Sequence, residues 1–213
     1  LQKHYEVVRL SGLVTGPRVT EPWGTKAQNV DFFDIKADVE ALIALAGDGV
    51  SVRFAATEHP ALQHGQAAEI LRNDDVIGVV GKLHPRLAKA YDIKKAVYLF
   101  ELDADKTLAS DAPSADVISR FPAIRRDIAV VVDDQVSAAA LVEAVAEAAP
   151  ELIRDVRIFD IYKGERIEAG RKSVAIGLIL QETSRTLTDE DADTAMAAAI
   201  AKLEDKFAAE LRD

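Results

Sequence analysis

Residues 173–181, SVAIGLILQ, alternate without a break. Val174, Ile176, Leu178 and Leu180 fall on one side, and Ser173, Ala175, Gly177, Ile179 and Gln181 fall on the other. Side chains of an extended strand project to opposite faces in turn, so this segment is a strand with one bulky face to bury and one mostly small face. A slip of one residue would turn every large side chain to the wrong side, which fixes the register of whatever pairs with it. The segment therefore demands a sheet covered by helices on one side, with a second side against which something flat can lie.

Its neighbours supply the rest of such a fold. VRIFDIY, residues 156–162, also alternates, and KGERIEAGRK, residues 163–172, reads as the connection of a hairpin. If Phe159 and Ile161 point to the helices, Asp160 and Tyr162 point the other way. Ile128 to Val132 is a short apolar run of strand type. Ser137 to Ala149 is alanine-rich, with Leu141, Val142 and Val145 on one side before Pro150, and reads as a helix. Thr188 precedes Asp189, Glu190 and Asp191, which suits a helix N-cap whose hydroxyl accepts a first-turn N–H while acids face the positive helix end. The helix it starts buries Ala192, Ala195, Met196, Ala199, Ile200, Leu203 and Phe207, spaced three and four apart, and AAELRD can add a last strand. The order β-α-β-β-α-β is the ferredoxin-like split arrangement, with both helices on one sheet face.

Before this lies a different pattern. Val7 to Leu10 with Leu13 and Val14, VSVRFAA, AAEILR, VIGVVGKL and AVYLFELD read as strands, with a tight turn at Asn73 to Asp75. Asp34 to Ala46 reads as a helix with Ile35, Val39, Leu42 and Ile43 inward and Gly47 as its stop, and HPRLAKAYD as a short helix. This is an α+β domain with a mainly antiparallel sheet. The small, polar segment DADKTLASDAPSADVIS, residues 103–119, is the expected boundary, giving domains at 1–112 and 113–213.

Charge narrows the function classes. The net charge of −10 argues against a general nucleic-acid or DNA binder, which must neutralise many phosphates. Residues 113–213 hold 13 basic against 20 acidic side chains, yet the acids gather in the last helix and tail while Arg120, Arg125, Arg126, Arg154, Arg157, Lys163, Arg166, Arg171 and Lys172 gather elsewhere. One basic surface on an acidic domain is thus allowed. There is no cysteine, hence no disulfide, thiolate metal site or cysteine nucleophile. No apolar run reaches a membrane span and no signal peptide opens the chain, so a soluble cytoplasmic protein is expected. The chain begins at Leu1 and its single methionine is Met196, so it reads as a piece of something longer.

Several separated motifs carry a family resemblance. FPAIRRDIAVVV resembles the opening strand of the anticodon-binding domain of bacterial phenylalanyl-tRNA synthetase beta subunits, and IFDIYKGERIEAGRKSVAIGLILQ resembles its hairpin. TLTDEDADTAMAAAIAKLEDKFAAELRD is similar to the helix and tail that end those subunits. VDFFDIKADVEALIALAG, EHPALQHGQAAEI, GVVGKLHPRLAKAYDI and VYLFELD resemble the end of the catalytic-like domain before it. The resemblance implies a class II synthetase-like antiparallel sheet domain without catalytic residues, followed by a ferredoxin-fold domain that binds the anticodon stem-loop of phenylalanine tRNA. It also implies an α2β2 ligase, with ATP, Mg and the chemistry belonging to the alpha subunit and no cofactor held by these residues. The sequence agrees on one point: it has no Arg-x-Glu or glycine-rich Glu-Arg motif of the kind that binds ATP.

On that reading the candidate tRNA-binding residues are Arg125, Asp127, Asp160, Tyr162, Lys163 and Arg171. Carboxylates can accept from base amino groups, Tyr162 can stack, and hairpin cations suit phosphates. Each has a plainer alternative: Arg125 and Asp127 as a surface ion pair, Tyr162 as sheet cover, and the loop cations balanced by Glu165 and Glu168. His59, His64 and His84 with Glu58 and Glu69 raise a metal site, but the spacing of His59 and His64 and the neighbouring Pro60 and Gly65 favour turn and capping roles. Asp74 and Asp75 fall in a tight turn, and Trp23 in TEPWGTKA serves either a subunit contact or its own domain. The rival functions are a ferredoxin-like regulatory module binding a small metabolite and, more weakly, a metal-dependent hydrolase built on the histidines.

Overall fold

The computed structural model describes residues 6–19, 23–24, 26–47, 52–109 and 118–212. The chain divides into two compact units, Leu1–Ser114 and Ala115–Asp213.

The first unit is built on five antiparallel strands in the order β1-β5-β4-β3-β2: β1 (Arg9–Thr15), β2 (Val52–Ala56), β3 (Leu62–Arg72), β4 (Asp75–Leu83) and β5 (Val97–Asp103). Helix α1 (Phe32–Ala44) lays Ile35, Val39 and Ile43 onto Ile70, Ile77, Val80, Phe100 and Leu102. It starts two residues earlier than its apolar spacing suggests because Asp31 caps it. Its Oδ1 accepts from Phe33 N at 2.8 Å, and the Asp34 carboxylate accepts from Asp31 N at 2.8 Å. The β3–β4 turn holds Asn73 and Asp74 at φ of 50° and 66°, the left-handed pair that a two-residue hairpin of matching twist requires. Strand β3 begins at Leu62 rather than Ala67, with a register shift between those residues that the alternation does not reveal. A short helix, α2 (Pro85–Ala90), follows β4. Another, α3 (Ala104–Leu108), stands where the sequence reads as boundary; Asp103 caps it and Arg72 donates to the carbonyls of Lys106 and Thr107. The rest of that segment, residues 110–117, lies outside the described residues.

The second unit is a four-stranded antiparallel sheet in the order β7-β8-β6-β9, from β6 (Ile124–Asp133), β7 (Ile153–Tyr162), β8 (Arg171–Leu180) and β9 (Glu210–Leu211). With helices α4 (Ala138–Ala146) and α5 (Asp189–Phe207) this is the ferredoxin-like β-α-β-β-α-β order. Val174, Ile176, Leu178 and Leu180 are all 1% exposed or less, packed with Ile128, Val130 and Val132 under Leu141, Ala144, Val145, Ala192, Ala195, Ala199 and Leu203. Met196, Ile200 and Phe207 are only half-buried at the rim of this core. Thr188 and Asp191 form a capping box at the start of α5. Strand β9 closes the free edge of β6, pairing Leu211 with Val130 and Glu210 with Val131.

Candidate functional site

The face of the second sheet away from α4 and α5 can be read row by row from the strand register. Arg125, Ile179 and Asp155 form one row, and Asp127, Gly177 and Arg157 the next. Ala129, Ala175 and Asp160 follow, and Arg212 stands at the end of that row, its backbone N–H donating to the Ala129 carbonyl at 2.8 Å. Then come Glu210, Val131, Ser173 and Tyr162. The centre is a floor of Ala129, Ala175 and Gly177, flanked by charge and aromatic rings. Gly177 has a steric reason: a Cβ there would stand 3.0 Å from Asp127 Oδ1 and 3.3 Å from an Arg125 guanidinium nitrogen.

Strand β7 departs from simple alternation. Ile158 pairs with Ile176 and Asp160 with Ala175, so Phe159 is the extra residue of a β-bulge. The bulge turns Phe159 to the open face, and the Arg125 guanidinium lies 5.3 Å from its ring centroid. The expectation that Phe159 points to the helices is therefore corrected. The reason is a bulge, which a period of two cannot register. Beyond it Asp160 and Tyr162 share a face with Ala175 and Ser173, while Ile161 pairs with Val174 on the helix side.

The candidate residues are not all brought together. Arg125 donates to Asp127 at 2.8 Å, and both stand on the open face. Asp160 and Tyr162 join them, the ring of Tyr162 lying against Gly164, where any Cβ would collide with the hydroxyl. Lys163 is drawn away to Asp134 Oδ1 at 2.5 Å, and this bond holds the Asp134 carboxyl below its ordinary range. Arg171 is committed to the fold: it donates to Glu210 at 2.5 Å and to the Val131 carbonyl at 2.9 Å, tying β9 across β6. Arg126 takes the opposite face and pairs with Asp189 at 2.5 Å. The arginines at the strand entrance thus diverge instead of forming one patch.

Two contributors escape a reading of the sequence. Phe159 is hidden by the bulge, and Arg212 by the brevity of β9. The Arg212 guanidinium lies 5.3 Å from the Tyr162 ring centroid and donates to Ser173 Oγ at 3.1 Å. The face therefore carries two guanidinium–aromatic stacks, Arg125 with Phe159 and Arg212 with Tyr162.

In the first unit, His59, His64, His84, Glu58 and Arg86 line one pocket. Backbone N–H groups of Ala61 and Arg86 donate to Nδ1 of His59 and His84 at 3.3 and 3.1 Å. Those bonds engage Nδ1 of both rings in the turn before β3 and the cap of α2. Among the described residues no group of three or more His, Cys, Asp or Glu side chains is placed to hold a metal ion. Asp74 sits in the hairpin turn, paired with Arg53 at 2.7 Å. Trp23 is 100% exposed and packs on none of the described residues of its unit; residues 20–22 and 25 beside it lie outside the described residues. No described helix is long and apolar enough to cross a membrane.

Residues 119–212 match the family model of the ferredoxin-fold anticodon binding domain, and residues 2–104 match that of the phenylalanyl tRNA synthetase beta chain CLM domain. The chain is 47% identical over 204 residues to a phenylalanine–tRNA ligase beta subunit of Methylococcus capsulatus, covering 96% of this chain and 26% of that protein. It is 41% identical over 204 residues to the beta subunit of Shewanella oneidensis, with the same coverage. It is 42% identical over 211 residues to that of Nitrosospira multiformis, covering 99% of this chain and 26% of the relative. The chain thus spans about a quarter of the length of the curated relatives it matches.

Proposed function

From the membership of residues 2–104 and 119–212 in the beta-chain CLM and ferredoxin-fold anticodon binding families, we propose that the protein is a non-catalytic part of a phenylalanine–tRNA ligase beta subunit. Its second unit receives the anticodon stem-loop of phenylalanine tRNA on the open sheet face. The observation that carries this reading is the pair of guanidinium–aromatic stacks beside a floor of Ala129, Ala175 and Gly177. RNA loops are bound by splaying bases onto flat or aromatic surfaces while cations hold the backbone. Phe159 and Tyr162 supply the rings, the small residues leave room for an unstacked base, and Asp160, in no ion pair among the described residues, accepts from base N–H groups. Asp127 and Arg125 work as one unit, joined by the bond from Arg125 Nε to Asp127 Oδ1.

The first unit is a class II synthetase-like sheet with a structural role, and its exposed surfaces meet the alpha subunit in an α2β2 ligase. ATP and Mg serve the joining of phenylalanine to tRNA in that partner, and the present residues contribute no group to the reaction. A metabolite-binding regulatory module is less favoured, since residues 119–212 fall in an anticodon-binding family. The test is titration of the chain with phenylalanine tRNA and a non-cognate tRNA at two salt concentrations. Salt-sensitive preference for the cognate is expected, and saturable binding of a free amino acid without tRNA preference would favour the rival.

A further inference from the structure

The register places Arg125, Arg157, Arg171 and Arg212 on the open face, and the first three are neutralised in place; Arg154, at the other register shift of β7, donates to the Gln181 carbonyl at 3.1 Å. Asp127 lies 2.8 Å from Arg125, Asp155 lies 2.6 Å from Arg157, and Glu210 lies 2.5 Å from Arg171. Arg212 is in no ion pair among the described residues. It is half-buried, its backbone is fixed by the bond to Ala129, and its guanidinium is held between the Tyr162 ring and the Ser173 hydroxyl. A phosphate approaching Arg125 meets a guanidinium whose charge is already balanced by Asp127, whereas no described carboxylate pairs with Arg212. A guanidinium has five N–H donors in a rigid fork, so the bond to Ser173 leaves most of them for a second acceptor. The group is already ordered, and little rotamer freedom remains to be lost on binding.

We infer that Arg212 is the phosphate anchor of this face: it donates to a backbone phosphate of the bound RNA while a base stacks beside it on Tyr162. The inference rests on the reading that this face receives tRNA. It reverses the role that the sequence suggests for Arg125, which instead supports the Phe159 ring with its charge cancelled by Asp127. Of the row that ends in Arg212, the far member is Asp160, separated by Ala129 and Ala175, or roughly 14 Å at ordinary strand spacing. The guanidinium, however, reaches back over β8 to the Ser173 hydroxyl and to the Tyr162 ring on β7, so the phosphate it holds and the base on Tyr162 are neighbours.

The test is tRNA binding by the full chain across a series of salt concentrations, comparing wild type with Arg212→Gln, Arg125→Gln, Ser173→Ala and Phe159→Ala. Loss of one phosphate contact lowers the slope of log affinity against log salt by roughly 0.7–0.9. Arg212→Gln is expected to show that drop and Arg125→Gln a smaller one. Ser173→Ala removes the hydrogen bond to Arg212 without removing charge, so its slope stays at the wild-type value. An unchanged slope in Arg212→Gln, with Phe159→Ala still weakening binding, overturns the anchor and leaves the face reading intact. A wild-type chain whose tRNA binding none of the four changes touches overturns both.

Discussion

Phe159 and Ile161 form a matched pair on one strand, and replacing each by alanine separates cover from function. Phe159 is 53% exposed and Ile161 50% exposed, but the bulge puts the first on the open face and the register puts the second on the helix side. Full burial of such a side chain contributes about 1.5–3 kcal/mol, so half-burial is worth about 1 kcal/mol in either case. Phe159 adds the stack with Arg125, about 0.5–1 kcal/mol at an exposed position. Each change should therefore lower the melting temperature by roughly 4–8 °C per kcal/mol lost in a unit of this size. Binding separates them: a base stacked on Phe159 is worth about 1–3 kcal/mol, so Phe159→Ala should weaken tRNA affinity by roughly 5- to 150-fold while Ile161→Ala leaves it within about twofold. Melting curves and tRNA titrations on the same preparations give both quantities. Equal losses of affinity in the two variants, or none in Phe159→Ala, would refute the placement of the RNA on the bulged side.

Gly177→Val should drive Asp127 and Arg125 off the floor and weaken tRNA binding more than Arg125→Gln does, because it displaces both partners; binding titration of the two variants decides it. Thr188→Ala removes the hydroxyl that accepts from Asp191 N, and should cost about 1 kcal/mol in denaturant unfolding of the second unit. The Asp191 carboxyl is held well below the ordinary carboxylate range, first by hydrogen bonding from Arg185 and then by the Thr188 backbone and hydroxyl. A group depressed in the folded state stabilises fully above its unfolded value of about 4, and that contribution is lost as pH falls through the folded value. Denaturant midpoints measured downward from pH 5 should therefore fall in wild type, and fall less steeply in Asp191→Asn.

Where the chemistry was local, the sequence carried it. Thr188 with its acids announces α5, and the alternation from Val174 to Leu180 announces the buried face of β8. The Asn73–Asp74 turn joins β3 to β4 as its residues suggest. What the sequence hides depends on pairing between distant segments. The bulge at Phe159 is a mismatch between β7 and β8, and nothing in VRIFDIY alone distinguishes it from plain alternation. The early start of β3 at Leu62 has the same origin, a register shift against β4. At the candidate site, the facing of Asp160 and Tyr162 follows from the strand period, but the fate of each cation does not. Lys163 and Arg171 look free in a loop and turn out to be held by Asp134 and Glu210, which lie 29 and 39 residues away in the chain. Arg212 escapes because a two-residue strand offers no period to read.

The measurement that bears most directly on the account is a residue-resolved NMR titration of the chain with phenylalanine tRNA. The account predicts shifts concentrated at Phe159, Asp160, Tyr162, Ala175, Gly177 and Arg212, with the outward surfaces of α4 and α5 unmoved. Shifts confined to those helices, or to the first unit, would contradict it.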